Sequence, residues 1–235
     1  MVSGHALNNS DSFIGFRGIE DLGGGLKAGF QLEQTINMET GENNNQSSEG
    51  SKVFSRSANI WIEGGFSRFK MGCSVTPSYN AMRTWSILDM ANYTTIPAHH
   101  GYVGESAREN SQFIYKTPSF GGFSAEVAFV TKGDYGNAKY DLNMIYADGP
   151  ISAAIAYNKT QKQKANYALG AKYAFGNFSL SAGYYDSKSG KFINAPQGAV
   201  PETSGFSIGC SVKFDNFSIA AEIQRLRKNQ YTYQG

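Results

Sequence analysis

Leu26-Lys27-Ala28-Gly29-Phe30-Gln31-Leu32-Glu33 places an apolar side chain at every even position and Lys, Gly, Gln and Glu at the odd ones. Successive side chains of an extended chain point to opposite faces, so this octet sorts into one apolar and one polar face as a β-strand. The same period of two returns along the chain. Ile151, Ala153, Ile155 and Tyr157 alternate with Ser152, Ala154, Ala156 and Asn158, and Tyr167, Leu169, Ala171 and Tyr173 with Ala168, Gly170 and Lys172. Phe178, Leu180, Ala182 and Tyr184 alternate with Ser179, Ser181 and Gly183. Phe206, Ile208, Cys210, Val212 and Phe214 alternate with Ser207, Gly209, Ser211 and Lys213, and Phe217, Ile219, Ala221 and Ile223 with Ser218, Ala220, Glu222 and Gln224.

Twelve strands are predicted, at 12–19, 26–37, 53–63, 68–75, 108–117, 123–131, 138–147, 151–158, 165–174, 178–187, 203–214 and 217–225. Their lengths match the roughly 9–11 residues with which a tilted strand crosses a bilayer, rather than the roughly 5–6 of ordinary strands. Short turns at Gly23-Gly24-Gly25, Gly64-Gly65-Phe66, Pro118-Ser119-Phe120-Gly121, Asp148-Gly149-Pro150, Phe175-Gly176-Asn177 and Asp215-Asn216 alternate with longer connections near 38–52, 76–107, 132–137, 159–164 and 188–202. An up-and-down barrel inserted from one side sorts its connections in this way; a sandwich has no reason to. The weaker face of each strand holds Gly, Ser, Asn, Gln, Lys and Glu, whereas a small closed barrel fills its interior with bulky apolar side chains. A wide, water-filled barrel fits better. Aromatics gather at strand ends (Phe66, Phe123, Tyr146, Tyr157, Tyr173, Phe178, Phe214, Phe217), as interfacial girdles do.

Composition narrows the class further. The 235 residues include 27 Gly, 16 Phe and 14 Tyr, with 17% charged residues against about 25% in an average protein, and a net charge of +2. Many aromatics and low net charge exclude intrinsic disorder. No dense basic stripe is present, so nucleic acid is not an expected partner. The longest uninterrupted apolar run, Ala153-Ala154-Ile155-Ala156-Tyr157, falls far short of the roughly 20 residues of a spanning helix. Cys73 and Cys210 read as isolated thiols on distant strands, without a disulfide. His99 and His100 point apart and lack a third ligand, so neither a metal nor a cofactor is expected. Met1 to His5 shows no basic region followed by an apolar stretch, and Gly235 closes a polar stretch, so the chain reads as a mature form, a misassigned start or a fragment.

The run from Ile14 to Glu33, Ile14-Gly15-Phe16-Arg17-Gly18-Ile19-Glu20-Asp21-Leu22-Gly23-Gly24-Gly25 and onward through Leu26-Lys27-Ala28, resembles the second and third strands of the trimeric general porins of neisserial and β-proteobacterial type. Gly64-Gly65-Phe66 with Phe69-Lys70-Met71-Gly72, then Tyr115-Lys116-Thr117-Pro118-Ser119-Phe120-Gly121-Gly122-Phe123, follow in the family's order. The resemblance covers about residues 12–225. It implies an all-β, transmembrane, antiparallel up-and-down β-barrel of sixteen strands, about twelve of them present here, with the first and the last three lacking. Residues 1–235 are then a single partial barrel, and connection 76–107 is the constriction loop folded into the lumen. It also implies a homotrimer in the bacterial outer membrane, surrounded by lipid. Such a trimer passes ions and small hydrophilic solutes by passive diffusion, with no catalytic residues and no cofactor.

Alternation gives the lumen candidates. Arg17, Lys27, Arg68, Lys70, Arg108, Lys116, Lys172 and Lys213 are the inward basic residues; Glu33, Glu63, Glu126, Asp141 and Glu222 are the inward acidic ones. Asp89 and Glu105 lie in the candidate constriction loop. The family sets an arginine-rich wall against acidic groups on that loop, and Arg17 and Arg108 match wall arginines, so both are expected to face the loop around Asp89. Phe13 and Cys73 stand where relatives carry Arg, and alternation groups Cys73 with outward Phe69 and Met71, so a thinner wall and a modest charge bias are expected. A substrate-specific channel or an adhesive surface barrel is the alternative, with Trp85, Tyr93 and Tyr102 as possible ligands in the loop. A barrel enzyme would need Asp/His or Ser/His groups at one rim, and only His5, His99 and His100 exist. A soluble lectin-like sandwich is the remaining reading.

Overall fold

The computed structural model describes residues 12–38, 40–41, 53–90, 107–131, 137–188, 199–200, 202–228 and 232–233. The strands are β1 (Ser12–Gly23), β2 (Leu26–Ile36), β3 (Ser57–Gly64), β4 (Ser67–Val75), β5 (Arg108–Lys116), β6 (Phe123–Val130) and β7 (Lys139–Asp148). They continue as β8 (Ile151–Thr160), β9 (Asn166–Phe175), β10 (Phe178–Ser187), β11 (Ala199–Val200), β12 (Thr203–Lys213), β13 (Ser218–Lys228) and β14 (Thr232–Tyr233), with one helix, α1 (Pro77–Trp85), between β4 and β5. Twelve strands form one antiparallel meander, β1 through β10 followed by β12 and β13, each paired with its neighbour in sequence. The two-residue strands β11 and β14 pair with each other. All twelve predicted strands are present with shifted ends, the largest shifts being the start of β3 at Ser57 and the end of β1 at Gly23. The helix and the β11–β14 pair were not foreseen. Among the described residues, β1 and β13 are the sheet's free edges; unpaired strand edges do not persist in lipid.

The two faces divide as the alternation requires. In β12, Phe206, Ile208 and Cys210 are exposed while Thr203, Gly205, Ser207 and Gly209 are buried. Register carries the exposed set sideways: Ile155, Leu169, Tyr184 and Phe206 stand directly opposite one another across β8, β9, β10 and β12, each 44–52% exposed. Soluble monomers rarely expose apolar patches beyond a few hundred Å², so this belt is a lipid-facing surface. Aromatic pairs border it at both rims. Phe123–Tyr146, Phe175–Phe178 and Phe214–Phe217, with ring centroids 4.7, 5.7 and 4.5 Å apart, mark the short-turn rim. Phe129–Tyr140 and Tyr157–Tyr167, at 5.2 and 5.3 Å, mark the long-loop rim. No helix of the described residues is long and apolar enough to cross a membrane; strands make the crossing.

The packed core lies on the other face, between α1 and the wall. Thr76 caps the helix by accepting from Tyr79 N at 3.2 Å, and Pro77 starts it, the position where a missing N–H costs nothing. Ala81, Met82 and Trp85 then bury themselves against Ala154, Ala156, Ala168 and Tyr185. The wall is deliberately thin there. A Cβ added at Gly170 would stand 2.3 Å from Trp85 Cδ2, and one at Gly183 2.6 Å from Trp85 Nε1. The indole fills the space these two glycines leave, and its Nε1–H donates to Tyr185 Oη at 2.9 Å.

Candidate pore lining and constriction

Five inward side chains are brought into one lateral row by register: Lys27, Glu63, Arg68, Lys116 and Glu126 face one another in turn across β2, β3, β4, β5 and β6. Arg68 Nε donates to Glu63 Oε2 at 2.8 Å, and its guanidinium lies 4.6 Å from the centre of the Trp61 ring. Lys70, the next inward residue of β4, has Glu126, Arg68 and Lys116 as charged neighbours. Lys27 and Lys116 are exposed to the lumen.

The adjoining strands β6 to β8 hold α1 by its N-terminal turn. Asp141, fully buried, accepts from Ser78 N at 3.0 Å and from Ser78 Oγ at 2.7 Å. A carboxylate at a helix N-terminus meets both the free N–H groups and the positive end of the helix dipole. Asn158 Nδ2 donates to Ser78 Oγ at 3.0 Å, Asn143 Nδ2 to Pro77 O at 2.8 Å, and Asn80 Nδ2 to Glu126 Oε2 at 2.8 Å. Two of the acidic lumen candidates, Glu126 and Asp141, are thus fasteners for the helix.

Beyond α1 the turn carries Asp89, which accepts from Arg83 Nε at 2.7 Å and Arg83 Nη2 at 3.2 Å. That bond holds the Arg83 guanidinium pKa above its usual value. Lys172 of β9 lies within electrostatic reach of Asp89. Arg108 has Arg56, Tyr79, Glu33 and Cys73 around it. Arg17 is exposed on edge strand β1, opposite Gln31. Asp89 is engaged by Arg83, six residues earlier in the same connection, and Arg108 has Tyr79 of α1 among its neighbours. Glu105, Tyr93, Tyr102, His5, His99 and His100 lie outside the described residues.

Besides Arg83, three charged groups escaped the sequence reading. Glu109 and Lys139 form an ion pair at 3.0 Å with exposures of only 5% and 1%. A β-bulge hides the first: the register slips between Gly72 and Ser74, with Gly72 at φ +116° and Ser111 at φ +54°. Alternation counted through that bulge changes parity and sends Glu109 to the wrong face. Lys139 was legible, since it shares its parity with Asp141. The third, Arg56, donates to Glu33 Oε2 at 3.2 Å and stacks 4.5 Å from the centre of the Phe13 ring. Cys73 and Cys210 are not joined in a disulfide, and Cys210 is exposed on the lipid face.

The carboxylates on this wall are thus occupied, Glu33, Glu63 and Glu109 in ion pairs and Glu126 and Asp141 with α1 and its supports. Arg17, Lys27, Lys70, Arg108, Lys116, Lys172 and Lys213 make no ion pair among the described residues. The lumen face carries an excess of positive charge. No group of three or more metal-ligating side chains occurs among the described residues.

Known proteins share this arrangement of sequence and fold. A family model described as Gram-negative porin matches residues 2–234. Outer membrane porin protein 32 of Delftia acidovorans is 32% identical over 222 residues, covering 86% of this chain and 60% of that protein. Major outer membrane protein P.IB of Neisseria gonorrhoeae is 28% identical over 161 residues, covering 66% of this chain and 43% of that protein. The chain therefore spans no more than three-fifths of the length of either. In fold, an anion-selective porin from Comamonas acidovorans matches with a TM-score of 0.72 at 23% identity, over 94% of this chain and 70% of that one. Salmonella typhi OmpF matches with 0.70 at 17% identity, over 93% and 72%. The twelve-stranded meander, its lipid belt and a family match running almost from end to end assign this chain to the Gram-negative porins.

Proposed function

We propose that the chain forms the wall of a water-filled diffusion pore in the bacterial outer membrane, passing ions and small hydrophilic solutes without chemical change. The observation that carries this reading is the division of one sheet into an apolar outer face and an inner face of charged and amide side chains. A bilayer blocks polar solutes because they lose hydration; a polar lumen replaces it. Residues 76–107 act as the constriction loop, a role supported by the seating of α1 on inward residues of the wall. The excess of lumen cations supports a weak preference for anions, and the Comamonas acidovorans porin of similar fold is described as anion-selective. Arg17, Lys27, Lys70, Arg108 and Lys116 carry that bias, and Asp89 tempers it from the loop together with Glu105. The assembly is a homotrimer set in outer-membrane lipid, and the protein is a channel rather than an enzyme.

Liposome swelling with uncharged sugars of rising size tests this. Rates that fall smoothly with size and ignore stereochemistry fit general diffusion. Saturable, stereoselective uptake would instead favour the substrate-specific alternative, in which aromatic side chains of 76–107 hold a particular solute.

A further inference from the structure

We propose that Arg68, Lys70 and Lys116, with Lys27 beside them, form a docking station for small divalent oxyanions at the short-turn mouth of the lumen. The proposal rests on the diffusion reading and adds a solute class to it. Arg68 and Lys116 stand directly opposite each other on adjacent strands. Like charges in that position repel at close range and are normally avoided. Lys70 adds a third cation, with Glu126, Arg68 and Lys116 as its charged neighbours. Three carboxylates lie nearby, each held by a hydrogen bond or ion pair within the wall, and the four cations outnumber them. Glu63 takes Arg68 Nε at 2.8 Å, Glu126 takes Asn80 and Asn143 at 2.8 and 2.9 Å, and Asp21 takes Gly23 N at 2.9 Å.

The geometry is prepared for a ligand. Glu63 on one side and the Trp61 ring on its face hold the Arg68 guanidinium in place, and a fixed guanidinium fork suits an oxyanion better than a mobile one. Lys27, Glu63, Ser67, Arg68 and Lys116 line a cleft of about 370 Å³. That volume admits a tetrahedral oxyanion with part of its hydration. The cleft lies beside the short turns at Gly25 and Gly64, on the wall of β2 to β5, whereas α1 packs against β6 to β10. The station borders the constriction through Glu126, which faces Lys116 across β5 and β6 and accepts from Asn80 of α1. A general basic wall sorts solutes by sign; three clustered cations also sort them by valence, because a doubly charged ion gains twice the Coulomb energy of a singly charged one at the same distance.

Single-channel recording in KCl with inorganic phosphate added on the short-turn side tests it. Phosphate should reduce the chloride current saturably, and the block should strengthen as pH rises from about 6 to about 8 and the ion becomes mainly divalent. Lys70→Gln with Lys116→Gln should raise the half-blocking concentration about tenfold. Lys172→Gln, on the far wall, should leave the block intact. Phosphate block that persists in the double variant, that is lost equally in Lys172→Gln, or that ignores pH would overturn the station. KCl conductance without any phosphate block overturns the station alone; absence of KCl conductance overturns the diffusion reading and the station with it.

Discussion

Gly170→Ala is the smallest change that should unseat the helix in the lumen. The added methyl carbon would lie 2.3, 2.5 and 2.6 Å from three atoms of the Trp85 indole. Carbon atoms rest at about 3.5–4.0 Å, so the ring must withdraw by more than about 1 Å. It has little room to do so, since Gly183 lies against the same ring and Tyr185 holds its Nε1–H at 2.9 Å. Overpacking of this kind costs about 1–3 kcal/mol, and losing the indole hydrogen bond adds about 0.5–1.5 kcal/mol. The strand ladders of β8 to β10 are untouched, so the barrel should still fold while α1 leaves its seat. Two readouts follow in a Trp61→Phe background, where Trp85 is the remaining tryptophan. Its emission should shift to the red as the ring meets water, and single-channel conductance and open-channel noise should both rise. Trp85→Ala should produce the same electrical change. Unaltered emission and conductance in Gly170→Ala would refute the seat.

Other side chains give independent checks. Asp141→Ala removes the acceptor of two Ser78 bonds and should loosen the start of α1 by about 1–3 kcal/mol, read as accelerated hydrogen exchange at Ser78 and Tyr79 without loss of strand protection. Glu109→Gln leaves Lys139 buried with a neutral partner and should cost about 3–5 kcal/mol, seen as a lowered urea midpoint; replacing the pair together by Gln and Met should recover most of it. Cys210 should react with a membrane-soluble thiol reagent, and reducing agent should not alter the protein's gel mobility, because Cys73 and Cys210 are separate thiols.

The strands were legible because the bilayer and the lumen impose opposite demands on alternate residues, and the twelve predicted segments register as twelve neighbours. The helix was not, because 76–107 has no repeating apolar pattern long enough to stand out. Its start was nevertheless written in the sequence: Thr76-Pro77-Ser78 is a capping residue followed by Pro at the first helical position. Alternation also predicted polar side chains inside without showing which were committed. Asp141 and Glu126 look like lumen charges in the sequence, yet the fold uses them to bind α1. The small inward residues Gly170, Gly183 and Ala168 looked like a generic thin face, and only the position of Trp85 explains them. Glu109 was lost to a bulge that no local composition announces, apart from Gly72.

Reversal potential across a planar bilayer under a KCl gradient tests the central claim most directly. The purified protein should reverse modestly on the anion-selective side, as a lumen with cations in excess of free carboxylates requires. Arg17→Gln with Arg108→Gln should move the potential toward cations while strand content by circular dichroism stays the same. A wild-type potential on the cation side, or a double variant with no shift at all, would contradict the account.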